Sequence, residues 1–279
     1  MRTVTNYTFE EFLDAARRPA APWVENVTSE VQAPSISGGA TFADAHRLAR
    51  EGWPEGLAKM NSVRKQLRQL EPQMAERVTS TYADCGDEVC VSRFVDGEPE
   101  HMMEFVTEFV PATGRVVRVT VMLGASSGIL PEQIFRRGAV AVAIIDALEQ
   151  QGFRVELVAS AHSGNKAASK GGTVNAHTDT INILIKRAED PLELDRVAFV
   201  AAHAAMLRRL VFRAREQGDL TVWKRIYSHA QGYSMELPVE ERGEVYIGRL
   251  FLNEIKTDAD MLAYVNATLA RYTETEVAA

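Results

Sequence analysis

Cysteine is scarce in this chain: 279 residues hold two, Cys85 and Cys90. They flank a Gly-Asp turn five positions apart, neither a C-x-x-C pair nor part of a four-ligand zinc pattern. A disulfide scaffold and a structural zinc site are thereby excluded, and two free thiols suit a reducing compartment. Long apolar runs are absent too; none reaches the roughly eighteen residues of a membrane span, and Met1 to Tyr7 lacks the apolar core of a signal peptide. Those absences point to a cytoplasmic protein with no membrane partner. Basic charge is in deficit: 31 Lys and Arg against 38 Asp and Glu leave a net charge of −7. That balance disfavours nucleic acid as a partner of the whole surface, though a local basic face stays open. The six histidines are scattered, without metal-ligand spacing, and no motif calls for a cofactor.

What is present is a globular composition, 46% hydrophobic and 25% charged, long enough for one large domain or two small ones. Residues 1–40 hold one helix-like run, Phe9 to Arg17, then Pro19, Pro22, Pro34 and Ser37-Gly38-Gly39, and read as an arm or linker. Residues 41–110 read as a helical and mixed extension. Thr41 caps an apolar-periodic run that Gly52 stops. Pro54 opens a second helix in which Leu57, Met60, Val63, Leu67 and Leu70 recur at three or four, until Pro72. Glu88 to Phe94 has the pattern of a strand, whereas Met102 to Phe109 fits neither period and leaves helix and strand both open.

Residues 111–279 carry the clearest signal. Arg115 to Leu123 is β-branched and apolar, a central strand cut off by Gly124-Ala125-Ser126-Ser127-Gly128. Pro131 starts a helix that is apolar on nearly every side as far as Gly152, and Phe153 to Ala159 gives a second strand at once. Strand, helix and strand form a right-handed crossover, the unit of α/β architecture. A polar loop, Ser163 to Thr173, leads to a third strand, Thr180 to Lys186; with no crossover helix between them, these two strands are expected to be antiparallel neighbours. Asp190-Pro191-Leu192-Glu193 predicts the start of a helix running through Phe199, Ala202, Met206 and Leu210, with Arg208, Arg209, Arg213 and Arg215 in its last turns. A strand, Val245 to Leu250, and a helix from Thr257 to about Tyr272 complete the order.

From Arg115 to Tyr272 this order, with a serine loop after the first strand, resembles the von Willebrand factor A fold. The resemblance implies a Rossmann-like sheet with one antiparallel strand, preceded here by a helical N-terminal extension. That family holds a divalent ion with Asp-x-Ser-x-Ser. When Ser127 is aligned with the last serine, Leu123 replaces the aspartate and Ala125 the first serine, so no metal ligand carries over. The chain as a whole also resembles a group of proteins of unknown function encoded by actinobacterial phages and mobile elements. The residues behind that likeness are Leu48-Ala49-x-x-Gly52-Trp53-x-x-Gly56, Gly97-Glu98-Pro99-Glu100-x-Met102, Asp146-Ala147-Leu148-Glu149-x-x-Gly152 and Leu194-Asp195-Arg196-Val197-Ala198-Phe199. The likeness implies a phage or plasmid context and names no chemistry.

No nucleophile, base and orienting group can be assembled from sequence, so the first functional expectation is a non-enzymatic module that binds another protein, itself or a different one. Its expected contact residues are Trp53, Lys59, Arg64 and Arg68 on the N-terminal helices, with Arg208 and Arg209. The alternative is a nucleotide- or phosphate-binding enzyme. Its ligand would sit on Gly124, Ser126, Ser127 and Gly128, a small-residue loop at a strand's C-terminal end and ahead of a helix N-terminus, which is where anions bind in α/β sheets. The third is a nucleic-acid-binding accessory protein using Lys59, Arg64, Lys65 and Arg68 with the arginines after His203.

Overall fold

The computed structural model describes residues 1–25, 27–67, 74–111, 114–171, 174–227, 231–249 and 257–273. The chain opens with β1 (Arg2–Thr8), α1 (Phe9–Arg17), the one-turn helices α2 (Thr28–Val31) and α3 (Pro34–Ser37), then α4 (Phe42–Glu51) and α5 (Pro54–Leu67). A ribbon follows, made of β2 (Met74–Ala83), β3 (Glu88–Val89), α6 (Val91–Val95) and β4 (Met102–Pro111). Next come β5 (Val116–Met122), α7 (Pro131–Gln150), β6 (Arg154–Gly164), α8 (Lys166–Ser169), β7 (Thr178–Lys186) and α9 (Leu194–Ala202). A π turn (Met206–Val211), α10 (Phe212–Glu216), α11 (Leu220–Val222), a second π turn (Trp223–Tyr227), β8 (Tyr233–Ser234), β9 (Val245–Ile247) and α12 (Asp258–Thr273) complete it.

The body is α/β, built on a mixed, mostly parallel sheet in the order β1, β7, β6, β5, β9, with β8 pairing at the end of β6. β5 is parallel to β6 and to β9, and β1 is parallel to β7. β6 and β7 run antiparallel, as expected from the missing crossover helix, with Ser160 opposite Asn182 and their side chains hydrogen-bonded at 2.8 Å. Both faces of β5 and β6 are covered, which is why their sequences are almost continuously apolar. α7 is buried from Val140 to Leu148 between the sheet and α9, and its apolar surroundings explain why no polar stripe interrupts it. Among the described residues, no helix is long and apolar enough to cross a membrane.

Several expectations need correction. Residues 1–40 are not a peripheral arm: β1 pairs with β7 along its whole length, and Phe12, Leu13 and Ala40 join the same core as Met60, α7 and α9. A polar edge strand has no apolar run to betray it. Asp190 does not cap the helix after it; its carboxylate accepts the Arg187 N–H at 3.1 Å and closes a turn, and the helix begins at Leu194. That helix stops at His203, which is extended, before the first π turn resumes it. Glu88 to Phe94 is strand only at Glu88–Val89 and then turns into α6, while Met102 to Pro111 is the long strand β4, paired over its full length with β2, which the sequence reading passed over. The last strand covers Val245–Ile247, and Leu250 lies outside the described residues.

Segment 18–41 has little regular structure, so its buried carbonyls need donors from elsewhere. Arginines supply them. Arg209 donates to the carbonyls of Ser29, Glu30, Gln32 and Ala40 at 2.7–3.3 Å, and Arg213 to Arg18 O and Ser29 Oγ, both at 3.0 Å. The fully buried Glu216 carboxylate accepts from Thr28 Oγ1 at 2.8 Å and from Ser29 N at 3.0 Å, and lies 3.4 Å from Arg213. The N-terminal segment is thus fastened to α10 and the π turn before it by charge-assisted bonds.

Candidate functional site

The Gly124 to Gly128 loop leaves the C-terminal end of β5 and leads to α7. Gly124 is buried, and Ser126, Ser127 and Gly128 are exposed. Gly124 lies close to Ser234: a Cβ there would be 2.3 Å from Ser234 Oγ and would make that hydroxyl turn aside. Arg137, on the second turn of α7, reaches back along its helix and donates from Nη1 to the Gly124 carbonyl at 3.4 Å. Its side chain is 1% exposed, and burial pushes the guanidinium down to about 10, against the opposing pull of Glu236 and Tyr246. Ser234 and Glu236, on the segment that crosses the strand ends, join the same cluster. Arg249 donates to Ser234 O at 2.5 Å and stands 4.0 Å from Glu236 Oε1, whose other oxygen accepts the Tyr246 hydroxyl. Burial and that hydrogen bond raise the Tyr246 phenol, which also accepts the Leu237 N–H at 3.0 Å.

The loop is held still by Arg208, which donates to Ser126 O at 3.3 Å, to Ile129 O at 2.6 Å and to Ile36 O. Arg208 and Arg209, expected as partner-binding residues, are therefore 2% and 5% exposed, with their guanidinium groups occupied by backbone carbonyls. They stitch the body together and present no cationic face. The sequence signalled neither this role nor the cluster at Gly124, because Arg137, Ser234, Glu236, Tyr246 and Arg249 come from four separate stretches. Only the short interval from Gly124 to Arg137, one helix turn beyond the loop, was a usable clue.

Trp53 is half-buried against the core. Its ring meets His203 at 4.6 Å and Phe135 at 6.0 Å, and its backbone N–H donates to Asp195 O at 2.9 Å. The glycines around it are steric: a Cβ on Gly56 would lie 2.1 Å from the indole, and one on Gly52, whose φ is +85°, would lie 2.5 Å from Asp195 Cβ. Lys59 is exposed on α5; the Arg64 side chain and all of Arg68 lie outside the described residues. Among the described residues no three His, Cys, Asp or Glu side chains gather as a metal site would require.

Exposed apolar residues gather on the ribbon. In its antiparallel register Tyr82 faces Met103, Ser80 faces Phe105 and Val78 faces Thr107, so Val78, Tyr82, Met103 and Phe105 share one face. Val78, Tyr82 and Phe105 are exposed, and on α6 Phe94 and Val95 are 60% and 75% exposed. The ribbon's shape is maintained internally: Asp87 accepts the Phe105 N–H at 3.0 Å, Arg93 donates to Glu100 O at 2.9 Å and stacks 4.3 Å over the Tyr82 ring, and Cys90 N–H donates to His101 O at 2.8 Å. Cys85 and Cys90, both free thiols, lie near its tip.

No curated protein and no solved structure matches the chain. A family described as "Domain of unknown function (DUF7192)" matches residues 6–273, which takes in the end of β1, the ribbon and the body together. The span is nearly the whole chain, and the protein belongs to that family.

Proposed function

We propose that the protein is a non-enzymatic interaction module that binds another protein through its ribbon. The observation that carries this reading is the exposed apolar face of Val78, Tyr82 and Phe105; Phe94 and Val95 of α6, in the same ribbon, are exposed too. Exposed apolar residues scattered singly need no explanation, but a contiguous set on one face of a projecting sheet is a recognition surface or an aggregation liability. Capturing these side chains would stabilise a complex by about 25 cal/mol per Å² of apolar area removed from water. Six buried cations against three buried anions among the described residues leave the surface more acidic than the net charge of −7, which weighs further against nucleic acid as the partner. Two finer readings belong to the same proposal. The run of β5, serine loop, α7 and β6 supports a body of von Willebrand factor A type, and free thiols at the ribbon tip suit the cytoplasm, in a phage or mobile-element context.

Phe94→Glu combined with Phe105→Glu tests the reading. Both side chains are exposed, so the melting temperature should stay nearly unchanged, surface substitutions costing about 0.5 kcal/mol or less. The tagged chain, cross-linked in the cell that naturally encodes it, should yield partner cross-links on the ribbon that the double variant loses. A variant that keeps every wild-type partner overturns the reading.

A further inference from the structure

We infer that the cluster around Gly124 is a binding site for an oxyanion group, the phosphate or carboxylate of a small molecule. Position comes first. β5 sends its crossover through α7 to β6 on one side, while its neighbour on the other side, β9, is reached only much later in the chain. The C-terminal end of β5 is therefore a topological switch point, the place where open α/β sheets bind their ligands. The Ser126 to Gly128 stretch and the first turn of α7 lie at that end, and α7, at 20 residues, carries a full helix dipole.

Position alone would not make a site. What points to a ligand is the set of polar atoms left over. Arg137 is 1% exposed, and its Nε has no hydrogen-bond partner among the described residues. Ser234 Oγ and Arg249 Nε are buried atoms that lack a hydrogen-bond partner there as well, and Ser234 Oγ is the atom pressed against Gly124. A buried donor without a partner costs on the order of 1–3 kcal/mol, more on a charged group, and three of them at one strand end is a concentration a folded protein would not keep without use. Charge agrees in sign. Among the described residues Arg137 and Arg249 share the carboxylate of Glu236, and Arg208 adds a third guanidinium to the same field. The excess of positive charge favours an anion.

The cluster is also reachable and rigid. It grades from the enclosed Arg137 to Arg249, whose side chain is 34% exposed, and on to the exposed Ser126 and Ser127. Arg208 fixes the loop through Ser126 O and Ile129 O, so binding would need little reordering.

The experiment is a titration of the full chain with inorganic phosphate, pyrophosphate and malonate, read by calorimetry and by melting temperature. The first two arms report a phosphate site and the third a carboxylate site. Ser234→Ala and Arg249→Gln are the variants of choice, because Arg137 is too enclosed to replace safely; the Ser234 hydroxyl satisfies no group among the described residues, so its loss should leave the ligand-free melting temperature nearly unchanged. At least one anion should bind saturably and raise the melting temperature of the wild type, with affinity about tenfold weaker in each variant. Arg118→Gln, on an exposed residue paired with Glu156 by a 3.2 Å contact, should match the wild type. Absence of saturable binding of all three anions, or equal affinity in wild type, Ser234→Ala and Arg249→Gln, overturns the site and leaves only a general salt effect.

Discussion

His203 shows how one side chain can tie stability to pH. It ends α9, its Nδ1 accepts the Ala205 N–H at 3.1 Å, and its ring lies against Trp53 and, tilted at 5.4 Å, Phe199. Burial among these groups disfavours the charged imidazolium and lowers the group from 6.5 to about 4. The folded state therefore holds the neutral ring. Stability from this residue is complete above the unfolded value of 6.5 and is lost as pH falls through the folded value of about 4, a change that amounts to about 3 kcal/mol at its limit. His203→Asn keeps an acceptor for Ala205 N and removes the titration, so urea unfolding between pH 7 and 4 should show a shallower loss in the variant. Equal acid slopes would mean that His203 is charged or exposed in the folded protein. The arginines a turn further on make a related point about what sequence can reveal. Arg208, Arg209, Arg213 and Arg215 read as surface cations at a helix end, yet all four are buried: the first three serve carbonyls that segment 18–41 brings inside without strands or long helices to satisfy them, and Arg215 donates to Gln231 O and Ser163 Oγ.

Helix α7 sets the spacing of the layers. Gly138 is the point of contact: a Cβ there would lie 2.2 Å from Ala202 Cβ and 2.3 Å from Ala202 Cα on α9. Gly138→Ala would add helix propensity of about 1 kcal/mol, but the clash is with backbone that cannot turn aside. A net destabilisation of about 3 kcal/mol is expected in chemical denaturation, partly recovered by Ala202→Gly in the same chain. A Gly138→Ala protein as stable as the wild type would contradict the packing of α7 on α9. The elements that could be read in advance are those that touch this layer: β5, β6 and β7 are rich in β-branched and apolar residues and mostly buried, and the missing crossover helix between β6 and β7 fixed their direction. β1 and β2 could not be read the same way. Arg2–Thr8 is a polar edge strand, and Val78 and Tyr82 of Met74–Ala83 are exposed, so burial wrote no clear period into either. The candidate loop at Gly124 was legible as a strand-to-helix turn, whereas its arginines and Ser234 are gathered only by the fold.

At the scale of the molecule the chain is an α/β body with a ribbon inserted between α5 and β5. The two differ in what they present: the body is stitched by buried arginines and holds the arginine cluster at Gly124, and the ribbon carries the exposed apolar face. The claim that recognition resides in the ribbon is most directly tested by removing it. Met74 and Pro111 are opposite each other in the β2–β4 register, so a short Gly-Ser linker can replace residues 74–111 without stretching the chain. The shortened protein should unfold cooperatively at nearly the melting temperature of the full chain and should recover none of the partners cross-linked to the full chain in the cell. A shortened protein that fails to fold, or one that still captures those partners, would contradict the account.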